Sequence, residues 1–141
     1  MGRRGTAGID ELLAEARRGL RRVTALQAAA ELERSDAVLV DIRPSAQRAA
    51  EGEVHAGYGP LVVERNVLEW RFDPRSSARM ALAAYDLRVI VLCQEGYTSS
   101  LAAAALQQLG LARATDVIGG FAAWRRAGLE VEPRLARVDS R

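Results

Sequence analysis

Val89-Ile90-Val91-Leu92-Cys93-Gln94-Glu95-Gly96-Tyr97-Thr98-Ser99-Ser100 is the stretch on which the fold turns. Four consecutive apolar residues, three of them β-branched, suit a strand buried on both faces, as in a parallel sheet. The run ends at the only cysteine in the sequence, and a loop containing Gly96 follows. Residues 99–109 are rich in Ala and Leu and predict a helix, with Gly110 where a helical C-cap glycine belongs. A strand, a short loop and a helix form the unit of an open α/β sheet, in which ligands bind beyond the carboxyl ends of the strands. Cys93 stands at such an end.

The flanking sequence repeats the alternation. Ala37-Val38-Leu39-Val40-Asp41-Ile42 is a second buried-strand run, and Leu61-Val62-Val63 and Thr115-Asp116-Val117-Ile118 are shorter ones. Thr24 can cap a helix over 25–33, and Pro44 can open one reaching residue 51. Residues 52–60 read as a loop, 73–77 as a turn, and 78–84 as a helical stretch. Gly119-Gly120 turns into a helix over 121–127 that Gly128 stops. Ahead of all these, Ile9, Leu12, Leu13, Ala16 and Leu20 recur at helical spacing, with Asp10 and Glu11 early and Arg17 and Arg18 late. They predict an amphipathic helix packed over the domain edge. Residues 130–141 are polar and expected to fray. The fold class is α/β, an open, mostly parallel sheet with helices on both faces.

Composition narrows the function. The 141 residues suffice for one domain with a real core, hiding roughly 68% of the unfolded surface. Apolar residues make up 49% and charged ones 27%, which excludes wholesale disorder. All 20 basic residues are arginine, set against 18 acidic ones for a net +2. With the signs interspersed, this is not a nucleic-acid footprint. One cysteine and one histidine, His55, cannot form an intrachain disulfide or a zinc cage of thiolates and imidazoles. The longest uncharged stretch, 96–112, is broken by Tyr97, Thr98, Ser99, Ser100, Gln107 and Gln108, so no membrane span is expected. The N-terminus lacks the apolar stretch of a signal peptide, though Gly2 and Thr6 fit the loose myristoylation pattern. A cytoplasmic protein is the expectation.

The loop after Cys93 can wrap around the sulfur and aim backbone N–H groups at it. With the positive end of the following helix, those donors favour the nucleophilic thiolate. Gly96 supplies the freedom to curl, and Thr98 and Ser99 can add hydroxyl donors to a sulfur or a bound anion. Position alone leaves a second reading open, in which Cys93 is a small buried hydrophobe at a strand end.

Four segments in order decide between them. Val40-Asp41-Ile42-Arg43, Asn66-Val67, Cys93-Gln94-Glu95-Gly96-Tyr97-Thr98-Ser99 and Gly119-Gly120-Phe121-Ala122-Ala123-Trp124 together resemble the rhodanese-like sulfurtransferase family, over about residues 22–133. The resemblance implies a five-stranded sheet and a division into an N-terminal helical extension (1–21), the domain (22–133) and a flexible tail (134–141). It implies that Cys93 is the nucleophile. The Cys93 thiolate would take a sulfane sulfur from a donor such as thiosulfate, forming a persulfide, and pass it to cyanide, a thiol or an acceptor protein. Gln94, Glu95, Gly96, Tyr97, Thr98 and Ser99 would bind the substrate, with Asp41 and Arg43 bracing the loop. No metal or organic cofactor is implied.

The sequence departs from the family pattern twice. Where the family commonly has Gly-His-Ile-Pro-Gly-Ala, this chain reads Gly52-Glu53-Val54-His55-Ala56-Gly57, so His55 is expected to be an ordinary loop residue. Members efficient with thiosulfate often carry a cation in the active-site loop, whereas this loop carries Gln94 and Glu95. Arg43, Arg65 or Arg71 could compensate if they point into the pocket. Trp70 and Trp124 read as packing residues, and Tyr97 as a residue of the entrance. Two rivals stand beside this reading. A phosphatase or arsenate reductase of the same plan needs Cys-x5-Arg to clamp an oxyanion, and the sixth residue after Cys93 is Ser99. A non-enzymatic sulfur carrier or thiol sensor would instead dock a partner protein through this loop, with the N-terminal extension as a docking element.

Overall fold

The computed structural model describes residues 6–132. The myristoylation pattern at Gly2 and the tail over 134–141 lie outside them. Helix α1 (Ile9–Arg18) opens the described chain, followed by α2 (Ala25–Glu33), β1 (Val38–Asp41), α3 (Ser45–Glu51), β2 (Glu53–Val54) and β3 (Leu61–Val62). Then come α4 (Leu68–Phe72), β4 (Val89–Leu92), α5 (Thr98–Gln108), β5 (Thr115–Asp116), α6 (Gly120–Arg126) and β6 (Val131–Glu132). Thr24 caps α2 as its sequence position predicts: its side chain accepts from the Gln27 N–H at 3.1 Å, while Gln27 returns a bond to the Thr24 N–H at 2.9 Å.

The main sheet runs β3-β1-β4-β5, with every pairing parallel. The family resemblance implied five strands and the sheet has four. In the fifth position the chain contributes a single parallel bridge, Val23 beside Val117. The connection there is too short for a strand because α2 begins at Ala25. A second antiparallel pair, β2 with β6, ties residues 53–54 to 131–132. That pair corrects two expectations, a plain loop over 52–60 and fraying from residue 130.

Alternate residues of β4 divide the core. Val89 and Val91 face one layer with Leu68, Phe72 and Leu106, while Ile90 and Leu92 face the other with Ala28, Phe121 and Trp124. All four β4 residues are fully buried. At roughly 1.5–3 kcal/mol for each buried aliphatic side chain, this strand fixes the register of the sheet and hence the place of the residue that follows it. The predicted helix over 78–84 is absent. The chain there runs through successive turns, with N–H bonds from Met80 to Arg71, Ala83 to Met80 and Leu87 to Ala84. Within 78–84 only Met80 packs on the core, so no continuous apolar face supports a helix.

Candidate active site

Asp41 ends β1 in register with Leu92, so the two chains leave the sheet side by side as Ile42-Arg43 and Cys93-Gln94. The Ile42 N–H donates to the Leu92 carbonyl at 3.0 Å. The Cys93 thiol is 4% exposed and lies inside the curl of its own loop. Backbone N–H groups of Gly96 and Ser99 point at its Sγ, at 3.2 and 3.3 Å. Gly96 has φ +86°, a left-handed conformation that makes the curl possible. A sulfur held this way is shaped to carry negative charge, because two dipoles already face it and need no reorganisation.

The loop rests against α6. The Phe121 and Ala122 N–H groups donate to the Cys93 and Gln94 carbonyls at 2.8 and 3.0 Å. Gly120, at φ +61°, permits this approach. A β-carbon there would overlap the Cys93 carbonyl oxygen and come within 2.8 Å of the Gly96 nitrogen. The Gly-Gly motif is therefore a contact surface for the cysteine loop.

Arg43 braces the loop from the side of β1. Its guanidinium donates to both Asp41 carboxylate oxygens, at 3.0 Å from Nε and 2.8 Å from Nη2. The remaining donors reach the Gly52 carbonyl at 2.9 Å and Gln94 Oε1 at 3.0 Å. The ring of Phe121 lies 4.0 Å from the guanidinium carbon. Both charged side chains are buried, at 1% and 2% exposure.

Outside the sulfur lies a cleft of about 590 Å³, lined by Cys93, Gln94, Glu95, Tyr97 and Thr98 on one side and by Arg43, Pro44, Gln47 and Glu51 on the other. Its charged lining is Glu51, Glu95 and an Arg43 already clasped by Asp41. Arg65 and Arg71 do not line it: Arg65 pairs with Glu69 at 2.7 Å, and Arg71 donates to the Ala78 carbonyl at 2.6 Å. His55 is likewise elsewhere, its Nδ1 accepting from the Gly57 N–H at 2.9 Å. Trp124 is fully buried, edge-on to Tyr58 at 5.2 Å, whereas Trp70 is 60% exposed and not the packing residue expected. A larger depression of about 830 Å³ surrounds Arg88 and Arg113 at the amino ends of the strands, away from Cys93.

Ser99 corrects one sequence expectation. Its hydroxyl is fully buried and donates to Asp116 Oδ2 at 2.7 Å, so it faces the interior and only its backbone N–H faces the sulfur. Asp116, Ser100, Arg22 and Arg17 form a layer behind the loop that sequence reading missed. Asp116 is fully buried, accepts from Ser100 Oγ at 2.8 Å and pairs with Arg22 at 2.9 Å. The one available signal was a carboxylate inside the strand expected over 115–118. Among the described residues, no three His, Cys, Asp or Glu side chains gather into a group able to hold a metal ion. No helix among them is long and apolar enough to cross a membrane.

Known proteins resemble this chain in sequence and fold. The thiosulfate sulfurtransferase GlpE of Vibrio cholerae is 33% identical over 106 residues, which are 74% of this chain and 88% of that protein. The adenylyltransferase and sulfurtransferase MOCS3 of Oryza sativa subsp. japonica is 35% identical over 101 residues. These are 68% of this chain but 21% of that longer protein. The solved structure of a Rhodopseudomonas palustris protein of unknown function, described as a possible tyrosine phosphatase, aligns with TM-score 0.81 and 33% identity. It covers 94% of this chain and 99% of its own. The family model of the rhodanese-like domain matches residues 24–127, and the chain belongs to that family.

Proposed function

We propose that this protein is a sulfurtransferase that carries sulfane sulfur as a persulfide on Cys93. The observation that carries the reading is the pair of backbone N–H groups, from Gly96 and Ser99, on a cysteine sulfur at the floor of an open cleft. With thiosulfate as donor, the Cys93 thiolate attacks the outer sulfur. The S–S bond of thiosulfate breaks, sulfite leaves with the bonding electrons, and Cys93 becomes a persulfide anion. Cyanide or a thiolate then attacks the terminal sulfur, the new S–S bond breaks, and Cys93 returns as the thiolate. The loop N–H groups stabilise the anionic sulfur at each stage. Gln94, Glu95, Tyr97 and Thr98 meet donor and acceptor at the cleft, and Asp41 with Arg43 holds the loop in place.

A phosphoryl-transfer reading finds no support in the loop, because the position that would hold the clamping arginine is Ser99, turned inward to Asp116. The test is mass spectrometry of the intact protein after incubation with thiosulfate or polysulfide. One sulfur atom should be gained, lost again on adding cyanide, and never gained by Cys93→Ser. Stable protein that takes up sulfur from none of several donors would overturn the proposal. Uptake with release only to a protein thiol would identify a carrier.

A further inference from the structure

Each of the two residues that present an N–H to Cys93 is gripped by a second polar group. Ser99 is gripped through its hydroxyl by Asp116. Gly96 is gripped through its carbonyl oxygen, which accepts from Arg17 Nη2 at 2.7 Å and from Arg22 Nη2 at 3.0 Å. Arg22 is neutralised by the buried Asp116. Arg17 is different: its Nε donates to Ser100 Oγ at 2.9 Å and its guanidinium carbon lies 5.8 Å from the centre of the Tyr97 ring, so its contacts are with uncharged groups. Its positive charge therefore remains at the back of the loop. Arg17 stands in the last turn of α1, and Leu20 just beyond is buried and anchors the end of the segment. The match of the family model starts at residue 24, so α1 lies outside that match.

We propose that Arg17 is a positioning residue of the sulfur site and that α1 is a working part of that site. Taking the Cys93 sulfur as the reacting atom, as above, Arg17 anchors the Gly96 carbonyl and so holds the turn at Gly96. This keeps the preceding peptide, which carries the Gly96 N–H, against the sulfur, and the Arg17 charge favours the anionic form. A flexible glycine at φ +86° does not hold that orientation by itself.

The test compares Arg17→Met with Arg18→Met in the full chain. Arg18 is the next residue of the same helix, 73% exposed and, among the described residues, paired with Glu15, so its loss perturbs α1 without touching the loop. The first readout is the rate of Cys93 alkylation by iodoacetamide at neutral pH, which needs no sulfur donor. Arg17→Met should slow it about five-fold, the net scale of one ordinary hydrogen bond. Arg18→Met should match the wild type, and Arg17→Lys should recover part of the loss. In sulfur transfer the same variant should lower kcat with KM unchanged. Alkylation of Arg17→Met at the wild-type rate or faster would overturn the proposal, as would equal slowing by Arg18→Met. Should Arg17→Met prove unfolded by circular dichroism, Arg17→Gln, which keeps a donor, is read by the same criteria. If the wild type accepts no sulfur, the sulfurtransferase reading falls while the alkylation comparison still decides the role of Arg17.

Discussion

Asp41 and Arg43, two residues apart at the end of one strand, turn back on each other. The carboxylate takes the Arg43 backbone N–H at 3.0 Å as well as the guanidinium fork. Because both are buried, removing one partner strands the other. Arg43→Met should cost about 3–5 kcal/mol in urea denaturation, and a second change, Asp41→Asn, should restore part of it. Equal destabilisation by the single and double variants would mean that the cost is lost packing against Phe121.

Gly120→Ala should act on both stability and chemistry. Its φ of +61° strains any side chain, and the added carbon meets the loop backbone that it would have to displace. A loss of about 1–3 kcal/mol is expected from strain of this kind. Slower alkylation of Cys93 should accompany it, since the displaced atoms include the Gly96 nitrogen. Unaltered reactivity would uncouple the Gly-Gly turn from the sulfur.

Glu95 is exposed at the cleft mouth, where on the proposed reading its charge opposes a dianionic donor. Glu95→Lys should lower the apparent KM for thiosulfate by about two- to five-fold at low ionic strength, and the difference should shrink as salt is added. An unchanged KM across salt concentrations would place the carboxylate off the donor's path.

Stability should respond to pH through Glu31. Arg88 donates to both of its oxygens, at 2.9 and 3.0 Å, and this bond holds the carboxyl below its ordinary value of 4.5 against the opposing effect of burial, with the charges of Arg34 and Arg113 assisting. A carboxyl more acidic in the folded state stabilises the fold above its unfolded value and loses that contribution as pH falls through the folded one. Glu31→Gln should therefore destabilise by roughly 0.5–1 kcal/mol at neutral pH. The gap to the wild type should close in acid, and a gap constant with pH would refute the linkage.

The parts of this site legible in the sequence are those built from adjacent residues. A buried strand ending in cysteine, a glycine three residues on and a helix start together predict a loop curled around sulfur, which is the observed form. The grip of Asp41 on Arg43 is equally local, spanning two residues. What escaped reading depends on distant partners: Arg17 meets Gly96 across 79 residues of chain, and Ser99 meets Asp116 across 17. Hydroxyls near a cysteine suit substrate binding, and only the approach of β5 reveals the Asp116 carboxylate competing for that of Ser99. The two-residue β2–β6 pair and five-residue α4 carry too little pattern to register. The Ala-rich 78–84 shows the converse, helical propensity with no face to bury.

The loop has two sides with separate obligations. Arg43, Asp116 and α6 hold it from within, through the Gln94 side-chain oxygen, the buried hydroxyl of Ser99 and the Cys93 and Gln94 carbonyls respectively. Glu95, Tyr97 and Thr98 project into solvent on the other side. Under the proposed sulfur transfer, mutations on the solvent side alter which sulfur compound is chosen at little cost to folding, whereas mutations on the inner side put the whole domain at risk. Such a division leaves the outer face of the loop open to evolutionary drift while the cysteine stays where β4 puts it.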